Sequence, residues 1–532
     1  MNEKRKQENL IRQGGSGSVM AWMELLVQLI FLIFLYHRIG MLGMSYFAVP
    51  YLIYRALHVI LAHGSGRIIK RRVAFFRRRN AYRNAVSGYR SMAAAGLCVT
   101  LIIAAALFWK ADALSMLMSA SKLPGLGIRL FAVALVFSVL TSCMDGYLEG
   151  MGTGLPGCIA RMSGYVSSLV LAFVLAGKVS SYSEKVAALM RTDHYYYAYM
   201  AALGSGSILI GNLIALLVLA FQKAAMTQSL RQLFDGGFKQ KSDQTGGIGS
   251  YLLALLGGIF PDACPELLLL VLFAIALHGN TQEAYAGQFL AASVLLIRPV
   301  SLLATQITGV LSRYLAQYIK HSDLVHANER TAICLKVYTY ILFPYLTALL
   351  AMAPSVGTAF FDTEDAAFAS LLRFGIWGSL AFALFLFTNG IIGVLWERWA
   401  PGVMSLVAVL IAGVVQLRVT DNYWISMIAG CLVLFAIESV LLAMVTRFHQ
   451  DLLRIFVLTG VSSVIFGLVS FAVQRVMGAA AGSWVTLILG LALGTLSYIT
   501  CIVMTHTFDA YEWSQVPGKG LPLFIARWLR QY

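Results

Sequence analysis

Hydrophobic residues in this chain gather into runs of about 18–25 residues, and short polar segments separate them. Runs of this length are typical of helices that cross a membrane, because a helix satisfies its own backbone hydrogen bonds in lipid. The pattern predicts an all-α polytopic membrane protein with about fourteen transmembrane helices. The runs lie approximately at 18–37, 42–63, 91–109, 126–148, 157–177, 197–222, 247–277, 284–311, 331–353, 366–395, 402–418, 422–446, 453–474 and 482–506.

The composition supports a membrane protein. Of 532 residues, 59% are hydrophobic and 12% are charged, and the mean hydropathy is +0.76. A soluble protein has about twice that charged fraction. The net charge of +16 could suggest a nucleic-acid partner, but no soluble domain is present to bind one. We therefore expect membrane lipids, and not nucleic acid, to face the basic segments.

The distribution of basic residues predicts the topology. They concentrate in the run 67–90, in the segment 223–241 and in the segment 313–330, whereas the segment 361–365 is acidic. Cytoplasmic loops carry the excess of Lys and Arg. The sequence therefore predicts a multi-pass membrane protein with both termini in the cytoplasm.

An internal repeat divides the chain. Gly146-Tyr147-Leu148-Glu149-Gly150 followed by Pro156-Gly157 recurs as Gly390-Ile391-Ile392-Gly393 followed by Pro401-Gly402, about 245 residues later. This offset skips an even number of spans, so it predicts two pseudo-symmetric lobes of the same orientation. The predicted parts are a cytoplasmic tail (1–17), an N-terminal six-helix lobe (18–222), a cytoplasmic linker (223–246), a C-terminal six-helix lobe (247–447), two further helices (448–507) and an amphipathic cytoplasmic tail (508–532).

Two arginines lie deep within predicted spans. An ionisable residue near the bilayer centre costs at least about 2.5–3.5 kcal/mol, so it requires a partner or a water-filled cavity. Arg55 lies near the middle of the second run, and Arg298 near the middle of the eighth. The repeat offset places Arg55 opposite Val300, two positions from Arg298. The pair could clamp a pyrophosphate, since guanidinium groups bind phosphate oxygens well; alternatively, each arginine pairs with a structural carboxylate.

Carboxylates in the spans are the second group of candidates. Asp262 and Glu266 are four residues apart on one helix face, beside Pro261 and Pro265, which favour a kink. They could bind a coupling Na⁺ or H⁺, or form buried salt bridges. We expect no other cofactor. Glu24, Asp145 and His58 are further candidates for a cavity.

The other basic residues are expected to lie at the membrane surface or at an entrance for the substrate. Arg161, near the start of the fifth run, is expected to extend to the cytoplasmic interface. The run 67–90 is expected to anchor the topology at the lipid surface, or to attract an anionic substrate to a cytoplasmic entrance. The entrance residues would be Arg67, Lys70, Arg71 and Arg77.

Five short motifs resemble one transporter superfamily. They are Arg38-Ile39-Gly40, Gly64 with the basic helix that follows it, GYLEGMGTGLPGCIA (146–160), GVLSRYLAQYIKHSD (309–323) and VPGKG (516–520). Together they resemble the multidrug/oligosaccharidyl-lipid/polysaccharide (MOP) exporter superfamily, especially its polysaccharide-biosynthesis branch, which includes stage V sporulation protein B, O-antigen flippases and lipid II flippases. The chain departs from that branch at Gly164, Tyr165 and Ser168, where members often carry a Glu-Gln…Arg pattern.

The resemblance implies a flippase of the bacterial cytoplasmic membrane and not an enzyme. Its substrate would be a saccharide linked to undecaprenyl phosphate or pyrophosphate, such as a polysaccharide, peptidoglycan or spore-wall precursor, moved by alternating access. One alternative is a cation-coupled antiporter of the multidrug (MATE) type that uses Asp262 and Glu266. A third is a membrane-embedded polysaccharide polymerase or ligase with catalytic residues in the outer segment 178–196. No Walker A motif is present, so direct use of ATP is not expected.

Overall fold

The computed structural model describes residues 16–119, 121–226, 248–279, 284–396, 399–420, 422–446, 453–478, 482–513, 515–516 and 520–528. Most of the predicted N-terminal tail and of the linker lies outside these residues. Two basic residues of the predicted C-terminal tail, Lys519 and Arg530, also lie outside them. The described chain forms two compact units. One is Met20–Leu290, and the other begins at Ala291.

The first unit is built of helices that follow the predicted runs. The helix α1 continues into a short π-helix at His58–His63, which leads into the basic amphipathic helix α2. The helices are α1 (Ser16–Leu57), α2 (Gly64–Arg78), α3 (Tyr82–Trp109), α4 (Ala111–Ser119), α5 (Gly125–Gly150), α6 (Leu155–Met190), α7 (His194–Ala225) and α8 (Ile248–Gly279).

The helix α1 contains two of the predicted runs. Its backbone leaves the helical conformation at Gly40, where φ is 65° and ψ is 179°. Glycine adopts a positive φ without the steric cost that a Cβ atom brings. The predicted end of the first span at Arg38-Ile39-Gly40 therefore coincides with a sharp turn between two spans.

The helix α5 lies at the centre of the first unit. It packs against α2, α3 and α7, and α6 packs along α7. The crossing of α2 over α5 is close, because a Cβ atom on Gly146 would lie 2.2 Å from the carbonyl oxygen of Gly66. Small residues let membrane helices approach in this way. The helix α8 packs on α2, α3 and the π-helix, so the compact unit extends beyond residue 222.

The second unit repeats part of this packing. Its helices α13 and α15 pack together, as do α14 and α15, in the order seen for α5, α6 and α7. A second π-helix occupies Leu453–Leu458. The helices are α9 (Tyr285–Leu296, shared between the units), α10 (Arg298–Lys320), α11 (Leu324–Ala351), α12 (Ala353–Phe361), α13 (Ala366–Leu395), α14 (Trp399–Arg418), α15 (Tyr423–Thr446), α16 (Thr459–Met477), α17 (Ser483–Met504), α18 (Ala510–Trp513) and α19 (Gly520–Trp528).

The predicted fold class is confirmed. Twelve helices in the described ranges are long and apolar enough to cross a membrane. The first candidate, Ser18–Arg78, is 61 residues long and covers both the first and the second predicted run. The helix α8 covers the seventh run and contains a shorter apolar stretch, Ala263–Leu277. The chain is an all-α polytopic membrane protein, and its domain boundaries stay a prediction.

Candidate functional site

Arg55 lies on α1, one turn before the π-helix, and it pairs with a carboxylate on α8. Its Nη2 atom donates a hydrogen bond to Oε1 of Glu266 at 2.9 Å. The two side chains are 15% and 8% exposed. The structure thus brings together two of the predicted site residues, and the carboxylate offsets the charge of a guanidinium that lies within an apolar span.

Arg55 also lines a cavity within the first unit. The space within it that is open to water-sized molecules is about 60 Å³. Side chains of α1, the π-helix, α5, α6 and α7 form its wall. They are Val27, Gln28, Phe31, Tyr51, Tyr54, Arg55, His58, His63, Ser138, Thr141, Ser142, Arg161, Gly164, Tyr165, Ser168, Ile208, Gly211, Asn212 and Ala215.

A second arginine, Arg161 on α6, faces the same cavity. Its Nε atom donates to Oε1 of Glu24 at 2.8 Å, and its Nη1 atom donates to Oδ2 of Asp145. These ion pairs were not predicted, and the extension of Arg161 to the cytoplasmic interface stays a prediction. Two acidic residues on neighbouring helices hold its guanidinium within the unit, because two buried carboxylates require a counter-charge close to them.

A glycine makes room for this cluster. Asp145 leans over the first turn of α6, where a Cβ atom on Gly157 would lie 1.6 Å from its Oδ1 atom. Any other residue at this position would displace the carboxylate. Gly157 belongs to the 146–160 motif, so there is a steric reason for a glycine at this position of the motif.

Aromatic and polar side chains complete the cavity wall. Asn212 donates from Nδ2 to the Tyr54 hydroxyl at 2.7 Å, and that hydroxyl lies 3.4 Å from Nδ1 of His58. The His58 ring is buried, and its centroid lies 4.9 Å from that of His63. The predicted position of His58 in a cavity agrees with this arrangement. π-helical turns are frequent at functional sites.

The segment that departs from the family pattern also contributes to the wall. Gly164 allows α6 and α7 to pack closely, since its Cβ atom would lie 2.8 Å from the carbonyl oxygen of Gly211. Tyr165 and Ser168 face the cavity from the same helix. Together with Arg161, their hydroxyl groups make this side of the wall polar.

The predicted entrance residues lie apart from this cavity. Arg67, Lys70, Arg71 and Arg77 are on α2, and none of them is among its lining residues in the described chain. The Nζ atom of Lys70 donates to Oε1 of Glu149, and both side chains are more than 40% exposed. These residues form part of a basic surface, and their role as an entrance stays a prediction.

The remaining candidates lie elsewhere. Arg298 is buried at the first position of α10 in the second unit, where Pro299 occupies the first helical turn and separates α10 from α9. The side chain of Asp262 lies outside the described residues. The proposed clamp of Arg55 with Arg298 therefore stays a prediction.

Several lining residues were missed in the sequence. Tyr54, Tyr165 and Asn212 lie in apolar spans in which single polar residues are common. The available signal was that Tyr165 lies one turn after Arg161, while Tyr54 and Asn212 are sequence neighbours of Arg55 and Gly211. Glu24 and Asp145 were predicted as cavity residues; neither is among the lining residues in the described chain, but both bind Arg161, which does line the cavity.

Comparison with known proteins places this geometry in a known fold. No family model and no curated protein matches the sequence. Among the solved structures that match, the lipid II flippase MurJ in an inward closed conformation has a TM-score of 0.65 at 11% identity, over 92% of this chain and 98% of MurJ. An inward-facing multidrug resistance MATE family transporter of the MOP superfamily gives 0.59 at 14% identity, over 80% of this chain and 94% of its own.

A third match is a MOP superfamily transporter from Pyrococcus furiosus, with a TM-score of 0.56 at 15% identity, over 83% of this chain and 97% of its own. The predicted resemblance to the MOP superfamily is confirmed at the level of the fold, since all three structures belong to it.

Proposed function

We propose that this chain is a transporter that moves an anionic, lipid-linked saccharide across a membrane by alternating access. The observation that carries the proposal is the pair of guanidinium groups, Arg55 and Arg161, that line one cavity in the first unit. Guanidinium groups are suited to the oxygens of a phosphate or pyrophosphate. The undecaprenyl phosphate or pyrophosphate carrier would keep its chain in lipid while the head group enters the cavity.

The carboxylates that pair with Arg55 and Arg161 are compatible with an anionic substrate. A guanidinium in an apolar unit needs a partner when no substrate is bound, and Glu24, Asp145 and Glu266 supply one. The Nε atom of Arg55 is buried and has no hydrogen-bond partner among the described residues. A buried donor without a partner costs about 1–3 kcal/mol, and a phosphate oxygen would remove that cost.

The aromatic wall supports a sugar-bearing head group. Tyr51, Tyr54 and Tyr165 line the cavity beside the arginines with aromatic rings and hydroxyl groups. The match to MurJ over most of both chains is consistent with this substrate class, because that protein is a lipid II flippase.

A cation-coupled antiporter of the MATE type is the second candidate. Its support is the set of carboxylates around the cavity, Glu24, Asp145 and Glu266, together with the matches to MATE structures. An organic cation would then bind to carboxylates released from the arginines. Two guanidinium groups in the wall oppose a cationic cargo, so this candidate is second.

A flipping assay with the purified full-length chain in liposomes tests the proposal. The liposomes contain undecaprenyl diphosphate linked to a sugar with a fluorescent label, and a membrane-impermeant reductant bleaches the label on the outer leaflet. We expect the wild-type protein to expose the protected fraction rapidly. Arg55→Gln and Arg161→Gln should each slow this exposure at least about tenfold, since each removes a charge-assisted hydrogen bond to phosphate.

The controls separate the two candidates. Arg129→Gln removes an arginine that pairs with Asp112 away from the cavity, so it should flip the lipid at the wild-type rate. The same lipid without its diphosphate should move slowly in every sample. Wild-type rates in both cavity variants would overturn the proposal. Uptake of ethidium that is lost in Glu266→Gln would favour the antiporter instead.

A further inference from the structure

A carboxylic acid in the second unit takes no part in the cavity described above. Glu438 lies near the middle of α15, and its exposed fraction is 0%. The helix α15 is held against α14 at small residues, where a Cβ atom on Gly430 would lie 2.7 Å from the carbonyl oxygen of Ala408. Burying a carboxyl group in an apolar helix is energetically costly, and residues of this kind in membrane spans usually have a function.

Glu438 has a hydroxyl group as its partner and not a cation. Its Oε2 atom contacts Oγ1 of Thr388 on α13, while Oε1 is buried without a hydrogen-bond partner in the part of the chain that the structure describes. No ion pair of Glu438 occurs among the described residues. A carboxylate without a cation in such surroundings is far less stable than the neutral acid.

The hydrogen bonds of Thr388 agree with a neutral acid. Its hydroxyl group also lies 3.0 Å from the carbonyl oxygen of Phe385. A hydroxyl group has one proton, so it cannot donate to both oxygens. If Glu438 carries a proton, it donates to Thr388, and Thr388 donates to Phe385; each donor then has an acceptor.

A second buried polar group lies beside this pair. Asn389 follows Thr388 on α13 and donates from Nδ2 to Oγ of Ser405 on α14 at 2.8 Å. Its Oδ1 atom is buried without a partner among the described residues, and the side chain is 3% exposed. Thr388 and Asn389 are thus neighbours on α13, and their side chains contact buried polar groups on α15 and α14 respectively.

A pocket lies one helical turn from the acid. Leu442 on α15 is four residues after Glu438, and Ile391 on α13 is three residues after Thr388, so each shares a helix face with its neighbour. Both residues line a small pocket at the turn between α10 and α11, with about 10 Å³ open to water-sized molecules. The polar residues Asn328 and Thr331 lie in the same wall. Water in this pocket would be within one turn of the carboxyl group.

Other titratable groups on the packed helices are distant from Glu438 or engaged elsewhere. Arg373 on α13 is exposed and about 22 Å along the helix from Thr388, and Arg418 is exposed at the end of α14. On α15 itself, Cys431 and Tyr423 are two and four turns away. At the α10–α11 turn, Asp323 and His326 pair with each other at the surface. The imidazole holds the pKa of Asp323 below its usual value.

We propose that Glu438 is a proton-binding site, which exchanges its proton with water through the pocket at the α10–α11 turn. One proton from that side converts the carboxylate to the neutral acid, and the same route releases it. The site would let a pH gradient act on the second unit. It does not depend on the cargo that the first unit transports.

Labelling with N,N′-dicyclohexylcarbodiimide tests the site, because this apolar reagent modifies protonated carboxyl groups in apolar surroundings. The purified full-length protein is labelled over a range of pH and digested, and the labelled peptides are identified by mass spectrometry. We expect label on Glu438, falling about tenfold per pH unit above the midpoint of its titration. The exposed Glu184 is the internal control and should stay unlabelled.

Two outcomes would overturn the proposal. One is a wild-type protein in which Glu438 stays unlabelled at every pH. The other is protection of Glu438 by NaCl but not by choline chloride at constant pH, which would show a metal-cation site. Because both measurements use the wild-type protein, neither depends on the folding of a variant.

The route is tested separately with a water-soluble carbodiimide. Leu442→Trp should fill the pocket and slow labelling of Glu438, whereas Val440→Trp, at an exposed position on the same helix, should leave the rate unchanged. Thr331→Val keeps the volume of the pocket and removes a hydroxyl group, so it should slow labelling even if Leu442→Trp fails to fold. Unchanged rates in the folded variants would exclude this route.

Discussion

Nη2 of Arg55 and Oε1 of Glu266 lie 2.9 Å apart and join α1 to α8. A second contact fixes the same helix, since the hydroxyl groups of Ser65 and Tyr251 are 2.6 Å apart. The two contacts are separated by about 22 Å along α8. The helix α8, which covers the seventh predicted run, therefore contacts other helices of the first unit at two points along its length. One of these two contacts belongs to the candidate site.

The Arg55–Glu266 pair should behave as a coupled unit in stability measurements. Arg55→Gln or Glu266→Gln alone leaves an uncompensated buried charge, which costs about 3–5 kcal/mol of folding free energy. The double variant leaves no such charge, so its loss should be smaller than the sum of the single losses. Unfolding of the detergent-solubilised protein, followed by circular dichroism, measures the three values. Strictly additive losses would show that the two groups do not interact.

Gly157 should be intolerant of alanine. The added Cβ atom would overlap with the carboxylate of Asp145, so the Arg161 cluster must rearrange. We expect Gly157→Ala to lower the melting temperature of the solubilised protein and to slow lipid flipping. Gly206→Ala is the matched control, because no atom lies within 4 Å of its Cβ position. Equal behaviour of the two variants would contradict the role of Gly157.

The C-terminal segment should stabilise the second unit through a buried ion pair. Nζ of Lys336 on α11 donates to Oε1 of Glu512 at 2.7 Å, and the side chains are 8% and 11% exposed. Glu512→Gln should cost several kcal/mol, since it leaves Lys336 buried without its counter-charge, and should make the segment after α17 more sensitive to protease.

The exposed pair of Lys70 with Glu149 is the comparison for this effect. Their side chains are 44% and 42% exposed, so Glu149→Gln should cost at most about 1 kcal/mol. Chemical denaturation of both variants in the same detergent measures the difference. A loss in Glu149→Gln as large as that in Glu512→Gln would mean that burial does not decide the contribution of these pairs.

The predicted orientation of the chain is tested by cysteine labelling. In a cysteine-free background, Arg83→Cys lies in the first turn of α3, within the basic run 67–90, and Glu184→Cys lies near the end of α6; both positions are exposed. A membrane-impermeant maleimide added to intact cells should label Glu184→Cys and not Arg83→Cys, because basic segments face the cytoplasm. The reverse pattern would invert the topology.

The sequence alone indicated much of the fold, for a simple physical reason. A span in lipid must be apolar over its length, so each of the fourteen runs is visible without tertiary information, and each falls on a helix of the structure. The kink at Gly40 and the helix break before Arg298 lie at a glycine and beside Pro299, residue types that favour such breaks.

The candidate site was only partly visible. Arg55, Glu266, Glu24, Asp145 and His58 stood out because charged and titratable residues are rare in apolar spans. Their partners could not be read from spacing, since 211 residues separate Arg55 from Glu266 and 137 separate Glu24 from Arg161. The position of Arg161 near a helix end suggested the interface, and only the packing of α1, α5 and α6 placed it in the cavity.

The sequence by itself therefore determined which segments are helical and which side chains are costly to bury. The tertiary structure decided which of those side chains satisfy one another. Apolarity is a local property of each run, whereas the pairing of a buried charge depends on which helices cross beside it. For this reason the partners of Arg161 and Glu438 could be identified only from the packing of α6 and α15 against their neighbours.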